Sequence, residues 1–297
     1  MNRTTEKFKN RRDFFLVLLL TISSGSANKI SYGAGVATII GLLLLIYVFL
    51  INKGKKLSNL AIPLIIIFLF LVGYLYKYNT FDLGFLARFF SYVTIPYCVI
   101  LLVGKKSLFT IYIRVMVFLA LTAFPFYIIQ LIDPFALFNF LKPIETLFGL
   151  SKFAGSVGES TYVNVVFYTL NILYTDIFHR SCGFAFEPGF YSIFIVLAIF
   201  FNVVITKKIL NKKGVILIIA LITTFSTTGF IAFFTVLIYY FYKGSRSVNT
   251  KYLLPILLPV LIIAFLNTSF LSEKISLLIV FIIIELSLMG LRHPVSP

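Results

Sequence analysis

Long apolar runs are the feature that most constrains how this chain folds. Hydrophobic residues make up 60% of the sequence and charged residues 12%, with a mean hydropathy of +1.03. Soluble domains carry about twice that share of charge. The runs approach the length of about 20 residues that crosses a bilayer as a helix. We therefore predict an all-α, polytopic integral membrane protein, with residues 1–297 forming a single transmembrane domain of about 8–10 spans.

The spans are assigned by length and apolarity. The first run begins behind Arg11 and Arg12 and is followed by small residues, a pattern that also fits a cleaved signal peptide. A second run follows within a few residues, which favours an uncleaved span. The predicted single spans cover residues 14–28, 31–51, 58–76, 81–103, 107–132, 188–206, 252–271 and 275–290.

The basic residues lie in short loops between the runs. Net charge is +16, but the chain has no soluble domain to carry a basic face, so we expect no nucleic-acid partner. Lysine and arginine are enriched in cytoplasmic loops of membrane proteins. Assigning these clusters to the cytoplasm places residues 133–187 outside. The clusters are Arg3 to Arg12, Lys53 to Lys56, Lys105 and Lys106, Lys207 to Lys213, Lys243 to Lys251, and Arg292.

The segment 214–242 has basic clusters on both sides, so a single crossing would place one of them outside. Its middle, from Thr223 to Gly229, consists of small or polar residues around one phenylalanine. We predict a short helical hairpin that turns at residues 226–229. Irregular backbone at membrane depth must be buried in protein or line a wet cavity.

The outer loop 133–187 is predicted to be ordered. Residues 134–149 are mostly apolar, with Asp133 just before them and Lys142 and Glu145 among them. This pattern indicates an amphipathic interfacial helix interrupted at Pro143. Residues 162–178 are apolar but contain scattered polar residues, and we expect them to pack over the bundle as a lid.

Metal and cofactor sites are not indicated. The two cysteines, Cys98 and Cys182, form neither a disulfide framework nor a metal cluster. The two histidines, His179 and His293, are predicted on opposite membrane sides, and no nucleotide-binding motif is present. We predict no metal and no cofactor.

Two arginines within predicted spans have alternative interpretations. Arg88 either extends to the outer headgroups or forms a cationic wall of a substrate cavity, and the cost of an intramembrane charge favours the second. Arg114 is interpreted as an arginine that extends to the headgroups.

The segment from Arg180 to Gly189 places a cation and a carboxylate where a new span begins. Glu187 precedes Pro188 and could cap the helix, and Arg180 could neutralise headgroups or pair with Asp176. Alternatively, the planar guanidinium of Arg180 binds diphosphate oxygens, and Glu187 or His179 acts as a general base. The residues alone leave these interpretations even.

The pattern Arg180-x-x-Gly183-x-x-x-Glu187-Pro-Gly189, followed by an apolar span and then by Phe225-Ser-Thr-Thr-Gly-Phe230, resembles the O-antigen polymerase family, which shares a superfamily with O-antigen ligases. The resemblance covers residues 14–270. It implies a GT-C-like helical glycosyltransferase of the inner (cytoplasmic) membrane. Such an enzyme joins repeat units carried on undecaprenyl diphosphate.

The resemblance also implies roles for residues. Arg180, Glu187 and His179 would be catalytic, with Glu187 the first choice of base. The substrate would be an undecaprenyl-diphosphate-linked oligosaccharide, and a chain-length regulator and a flippase would be partner proteins. Residues expected to bind substrate are Arg88, Gly183, Ser226, Thr227, Thr228 and Gly229.

One departure from the family leaves alternatives open. Family members continue with a second large outer loop and further spans, so we expect this chain to be a shortened member. A shortened member could also be an inactive assembly partner. The competing class is a transporter such as a lipid-linked oligosaccharide flippase, but we see neither charges spread through several spans nor a repeat relating two halves. An O-antigen ligase is a further alternative.

Overall fold

The computed structural model describes residues 3–25, 34–52, 68–69, 73, 83–148, 162–171 and 179–241. Two compact units cover residues 1–236 and 237–297, and the first contains nearly all described residues. The described chain is mostly helical. Its helices are α1 (Arg3–Gly25), α2 (Ala34–Asn52), α3 (Leu83–Val103), α4 (Lys105–Ile132), α5 (Pro134–Phe148), α6 (Pro188–Thr206), α7 (Lys212–Thr223) and α8 (Thr227–Tyr239).

Two described helices are long and apolar enough to cross a membrane, Ser107–Ile132 within α4 and Pro188–Thr206. Both match predicted spans, and they suggest that the protein associates with a membrane. Helix α1 begins earlier than the predicted span 14–28 and includes the basic segment. The predicted spans 58–76, 252–271 and 275–290 lie largely or wholly outside the described residues.

Helices α4 and α6 pack against each other in opposite directions. Near the start of α4, the Phe109 ring lies with its centroid 4.4 Å from that of Phe201, near the end of α6. At the other end, Gln130 of α4 bonds the backbone of Arg180, shortly before α6 begins. The lysines around residues 105 and 207 therefore lie at one end of this pair, and the segment 179–187 lies at the other.

The segment 214–242 contains a helix break. Helix α7 ends at Thr223 and α8 begins at Thr227, so the nonhelical residues are Thr224–Ser226 rather than the predicted 226–229. Phe225 has a left-handed φ of 43°. In the described part of the chain α7 packs on α4 and α6 and forms no side-by-side pairing with α8. The predicted side-by-side hairpin is therefore not formed, and the segment consists of two short helices separated by a break.

Helix α5 corrects a second prediction, because Pro143 does not interrupt it. Asp133 caps the helix by accepting bonds from the backbone N–H groups of Phe135 and Ala136, both at 2.9 Å. Beyond the proline, Glu145 is buried and binds Lys142 and the hairpin described next. These contacts hold the last turn of the helix despite the backbone bond that proline cannot donate.

A β-hairpin is an exception to the all-α prediction and lies in the first part of the segment 162–178, which was predicted to be a lid. Strands β1 (Tyr162–Val165) and β2 (Tyr168–Asn171) pair antiparallel, with Asn164 opposite Thr169. Its valines, tyrosines and threonine favour extended backbone. Residues 172–178 lie outside the described residues.

The hairpin is packed between α5 and the second half of α4. Its buried side chains form one cluster with residues of both helices, and Tyr168 stacks on Phe126 at 5.3 Å. The cluster contains Ala123, Tyr127, Leu137, Leu141, Val163, Tyr168 and Leu170. The outer edge of β1 is satisfied because the backbone N–H of Asn164 donates to Glu145 Oε1 at 2.9 Å. This core lies at the same end of the α4–α6 pair as residues 179–187.

We predict that the two ends of the α4–α6 pair face opposite sides of the membrane. Asn139→Cys in α5 should react in whole cells with a membrane-impermeant thiol reagent, and Lys208→Cys should react only after permeabilisation. Both positions are exposed. The parent protein is the control, because Cys98 and Cys182 are both buried at 1% exposure. Labelling of both variants from one side would contradict this topology.

A second prediction concerns the buried carboxylate of Glu145. Glu145→Leu leaves the Asn164 N–H without its acceptor and Lys142 without its ion-pair partner, and should lower the free energy of unfolding by about 2–3 kcal/mol. Glu145→Gln retains an acceptor for Asn164 and should cost less. Exposed Thr146→Ala is the neighbouring control. Denaturant titration in detergent measures all three, and equal losses for Gln and Leu would refute the role of the Asn164 bond.

Candidate functional site

The segment 179–187 is called here the site loop. Its backbone groups form hydrogen bonds with three other parts of the fold. Gln130 Nε2 of α4 donates to the Arg180 carbonyl at 3.2 Å. The Ser181 N–H donates to the Thr223 carbonyl at the end of α7 at 2.8 Å, and the Thr169 N–H of β2 donates to the Gly183 carbonyl at 2.6 Å. The loop therefore has a defined shape although it is not helical.

Gln130 connects the hairpin to the site loop. Its Oε1 accepts a bond from the Tyr168 hydroxyl, and its amide group donates to Arg180. Both side chains are buried, and burial raises the pKa of Tyr168 well above its ordinary value. Gln130 is not among the site residues predicted from the sequence. The available signal was a single amide side chain within an apolar span, where polar groups are costly.

Gly183 occupies a position that side chains fit poorly. Its φ is +53°, and a Cβ there would lie 2.4 Å from the ring of Tyr191. Tyr191 is buried in α6 and meets Phe184 edge-on at 5.6 Å. The tyrosine ring thus packs directly on the backbone of the loop, and a glycine permits both the left-handed backbone and the contact.

The helix break after α7 lies against the site loop and the start of α6. The Ser192 hydroxyl of α6 donates to the Gly189 carbonyl at 2.6 Å, and its Oγ accepts from the Ser226 hydroxyl at 3.1 Å. Ser226 in turn accepts from the Gly229 N–H at 3.2 Å. A Cβ on Gly229 would lie 2.4 Å from Ser192 Cβ. The two motifs that are separate in sequence are therefore one packed unit.

Three residues predicted to be catalytic lie on the site loop. Glu187 is exposed and occupies the N-cap position of α6, next to the positive end of the helix dipole, but its side chain makes no capping hydrogen bond. Arg180 is half-buried. His179 is half-buried as well, and its Nδ1 is buried without a hydrogen-bond partner among the described residues.

The pKa of the Cys182 thiol is affected by the charged residues of the site loop. Burial raises the pKa of its thiol, nearby Glu187 raises the pKa further, and Arg180 opposes the rise. The cation and the carboxylate are therefore both within electrostatic range of one buried sulfur. The raised pKa keeps the thiol protonated at neutral pH and makes it a poor nucleophile.

The other predicted substrate-binding residues lie at different places. Thr227 and Thr228 are in the first turn of α8, where Thr228 is exposed and Thr227 Oγ1 is buried without a described partner. Arg88 is in α3, and its side chain lies outside the described residues. Among the described residues, no three His, Cys, Asp or Glu side chains are grouped in a way that could hold a metal ion.

Comparisons of the chain with protein-family models, with curated proteins and with solved structures find no match. The function therefore has to be inferred from the site loop and the helix break that packs against it.

We predict that the two close-packed glycines tolerate no added methyl group. Gly183→Ala should destabilise the protein through a left-handed alanine and a clash with Tyr191, and Gly229→Ala through a clash with Ser192, each by about 2–4 kcal/mol. Gly189→Ala is the matched control, because its Cβ would meet only Ser226 Oγ, at an ordinary 3.7 Å. Thermal unfolding in detergent measures the three. Equal midpoints for all three variants would show that the close contacts are absent.

Proposed function

We propose that this chain is a multi-pass glycosyltransferase of the inner membrane that polymerises oligosaccharide repeat units carried on undecaprenyl diphosphate. The resemblance of its two motifs to the O-antigen polymerase family motivates the proposal. The observation that supports it most is the packing of those motifs into one unit through Ser192 and Ser226. Residues separated in sequence are expected to meet in space if they serve one site.

The position of the unit fits a reaction at the outer membrane face. The site loop lies at the end of the α4–α6 pair opposite the lysines of residues 105 and 207. Clusters of lysine mark the cytoplasmic ends of membrane helices. The substrate of such a polymerase is a lipid diphosphate, so its charged group would lie at this end, near the membrane surface.

The residues of the loop suit the chemistry. In the proposed reaction an acceptor sugar hydroxyl attacks the anomeric carbon of the growing chain. The new glycosidic C–O bond forms as the bond to the lipid diphosphate breaks, and the diphosphate leaves with the electron pair. Arg180 would stabilise the negative charge on the departing diphosphate. Exposed Glu187 would accept the proton of the attacking hydroxyl, with His179 as the second candidate.

An arginine can bind a diphosphate through two parallel N–H groups, and a lysine cannot. This difference provides the test of the proposal. Arg180→Lys keeps the charge but loses the planar pair of donors, so repeat-unit polymerisation should fall roughly a hundredfold, and Arg180→Ala should fall further. The Gln130 bond goes to the backbone carbonyl of Arg180, so it is retained in both variants, and thermal unfolding checks the fold of each. The measurement is polymerisation in membranes supplied with lipid-linked donor.

Arg114→Lys is the matched control, since Arg114 is an exposed arginine of α4. It should polymerise at the parental rate, and thermal unfolding should match among all variants. Parental activity in both Arg180 variants would remove Arg180 from the mechanism. An inactive parent chain would contradict the proposed function, and transfer of a finished chain to lipid A without repeat addition would identify a ligase instead.

A further inference from the structure

The loop between α6 and α7 presents four lysines at the end of the fold opposite the site loop. Lys207, Lys208, Lys212 and Lys213 are all exposed. The ion pairs in the described part of the chain are Arg12 with Asp13 and Lys142 with Glu145, and neither involves this loop. Four like charges within seven residues of chain repel one another when their side chains approach, so the sequence of this loop favours binding of an anion.

The backbone that carries these lysines is rigid. Asn202 is buried in α6 and forms a reciprocal amide pair with Asn211, with N–O distances of 3.2 and 3.1 Å. Asn211 also caps α7 by accepting from the Gly214 N–H at 2.8 Å. A Cβ on Gly214 would lie 1.9 Å from the Ile209 carbonyl oxygen. The loop therefore fixes where its lysine side chains begin.

Lys207 ends α6 as its left-handed C-cap, with a φ of 56°. The start of α7, in contrast, is unfavourable without a ligand. Lys212 and Lys213 form the first turn of α7, and that turn contains no acidic residue. The positive end of the helix dipole favours negative groups there and disfavours cations. An anion bound beside the loop would offset both the repulsion and the dipole term.

Exposed apolar side chains beside the lysines indicate what kind of anion is suited. Leu210 is 75% exposed between the two lysine pairs, and Ile205, two residues before Lys207, is 47% exposed. A free phosphate or a nucleic acid backbone gains little from such groups. A phospholipid offers a phosphate to the lysines and acyl chains to the leucine and isoleucine.

We propose that the Lys207–Lys213 loop is a binding site for the headgroups of anionic phospholipids. The loop's fixed backbone presents the four lysines toward one headgroup region, while Leu210 and Ile205 contact the acyl chains. The site depends on membrane insertion of α6 but not on glycosyl transfer. Failure of the proposed enzyme activity would therefore leave it standing.

The test is native mass spectrometry of the purified full chain in detergent, titrated with phosphatidylglycerol or with zwitterionic phosphatidylcholine. The parent should bind phosphatidylglycerol at least roughly tenfold more tightly, because each lysine near a surface strengthens binding to anionic lipid severalfold. Lys212→Gln/Lys213→Gln should lose most of this preference, and Lys212→Arg/Lys213→Arg should retain it.

Two further variants distinguish a binding site formed by the folded loop from a general effect of positive charge. Arg11→Gln/Arg114→Gln removes the same charge from exposed positions elsewhere and should leave phosphatidylglycerol binding within about twofold. Asn211→Ser keeps a side-chain cap for α7 but removes the amide pair with Asn202, and should weaken binding with all charges present. Thermal unfolding of each variant checks that the fold is retained.

The contrary outcomes are equally specific. Equal affinity for the two lipids would overturn the proposal, as would equal losses in the loop variant and the Arg11/Arg114 control. An unchanged affinity in Asn211→Ser would reduce the site to diffuse charge. Complete displacement of phosphatidylglycerol by millimolar inorganic phosphate would identify a soluble anion as the ligand instead of a lipid.

Discussion

Hydrogen bonds between nonhelical backbone segments hold this fold together. Three irregular segments, the hairpin, the site loop and the break after α7, lie among strongly apolar helices where an unpaired N–H or carbonyl is costly. Each segment supplies partners to the next. The Gly183 carbonyl accepts from β2, and the Ser181 N–H donates to the end of α7. No one of the three can change shape without leaving polar groups of another unpaired.

This mutual dependence explains why small and polar side chains are concentrated at the site. Ser192 and Ser226 bond each other where α6 meets the break, and Gly229 allows α8 to begin directly against Ser192. Gly183 plays the same part beneath Tyr191. The close packing at these residues holds the surrounding backbone in one conformation. The charged groups Arg180 and Glu187 are left at the margin, half-buried and exposed respectively. A fixed backbone with charged groups at its margin is what the proposed positioning of a lipid diphosphate would require.

The two ends of the α4–α6 pair have different chemistry. One end carries the site loop, the hairpin and α5, and it is rich in buried polar contacts such as those of Gln130 and Glu145. The other end carries exposed lysines on a loop fixed by the Asn202–Asn211 pair. In a bilayer this asymmetry would orient the protein, because cationic loops are retained on the cytoplasmic side. The same charge that orients the chain would also recruit anionic lipids.

Local composition was enough to predict several features of the fold. Apolar length placed α4 and α6 close to their observed bounds, and the small polar residues from Thr223 to Gly229 located the helix break to within a few residues. Pro188 marked the start of α6. The nonlocal contacts, in contrast, depend on how the elements pack. Residues 162–171 form a hairpin because α5 and the site loop satisfy its two edges, and α5 continues through Pro143 because Glu145 is anchored to β1. The sequence named most residues of the candidate site but not Gln130 or Ser192, since their bonding partners lie far along the chain and only packing brings them together.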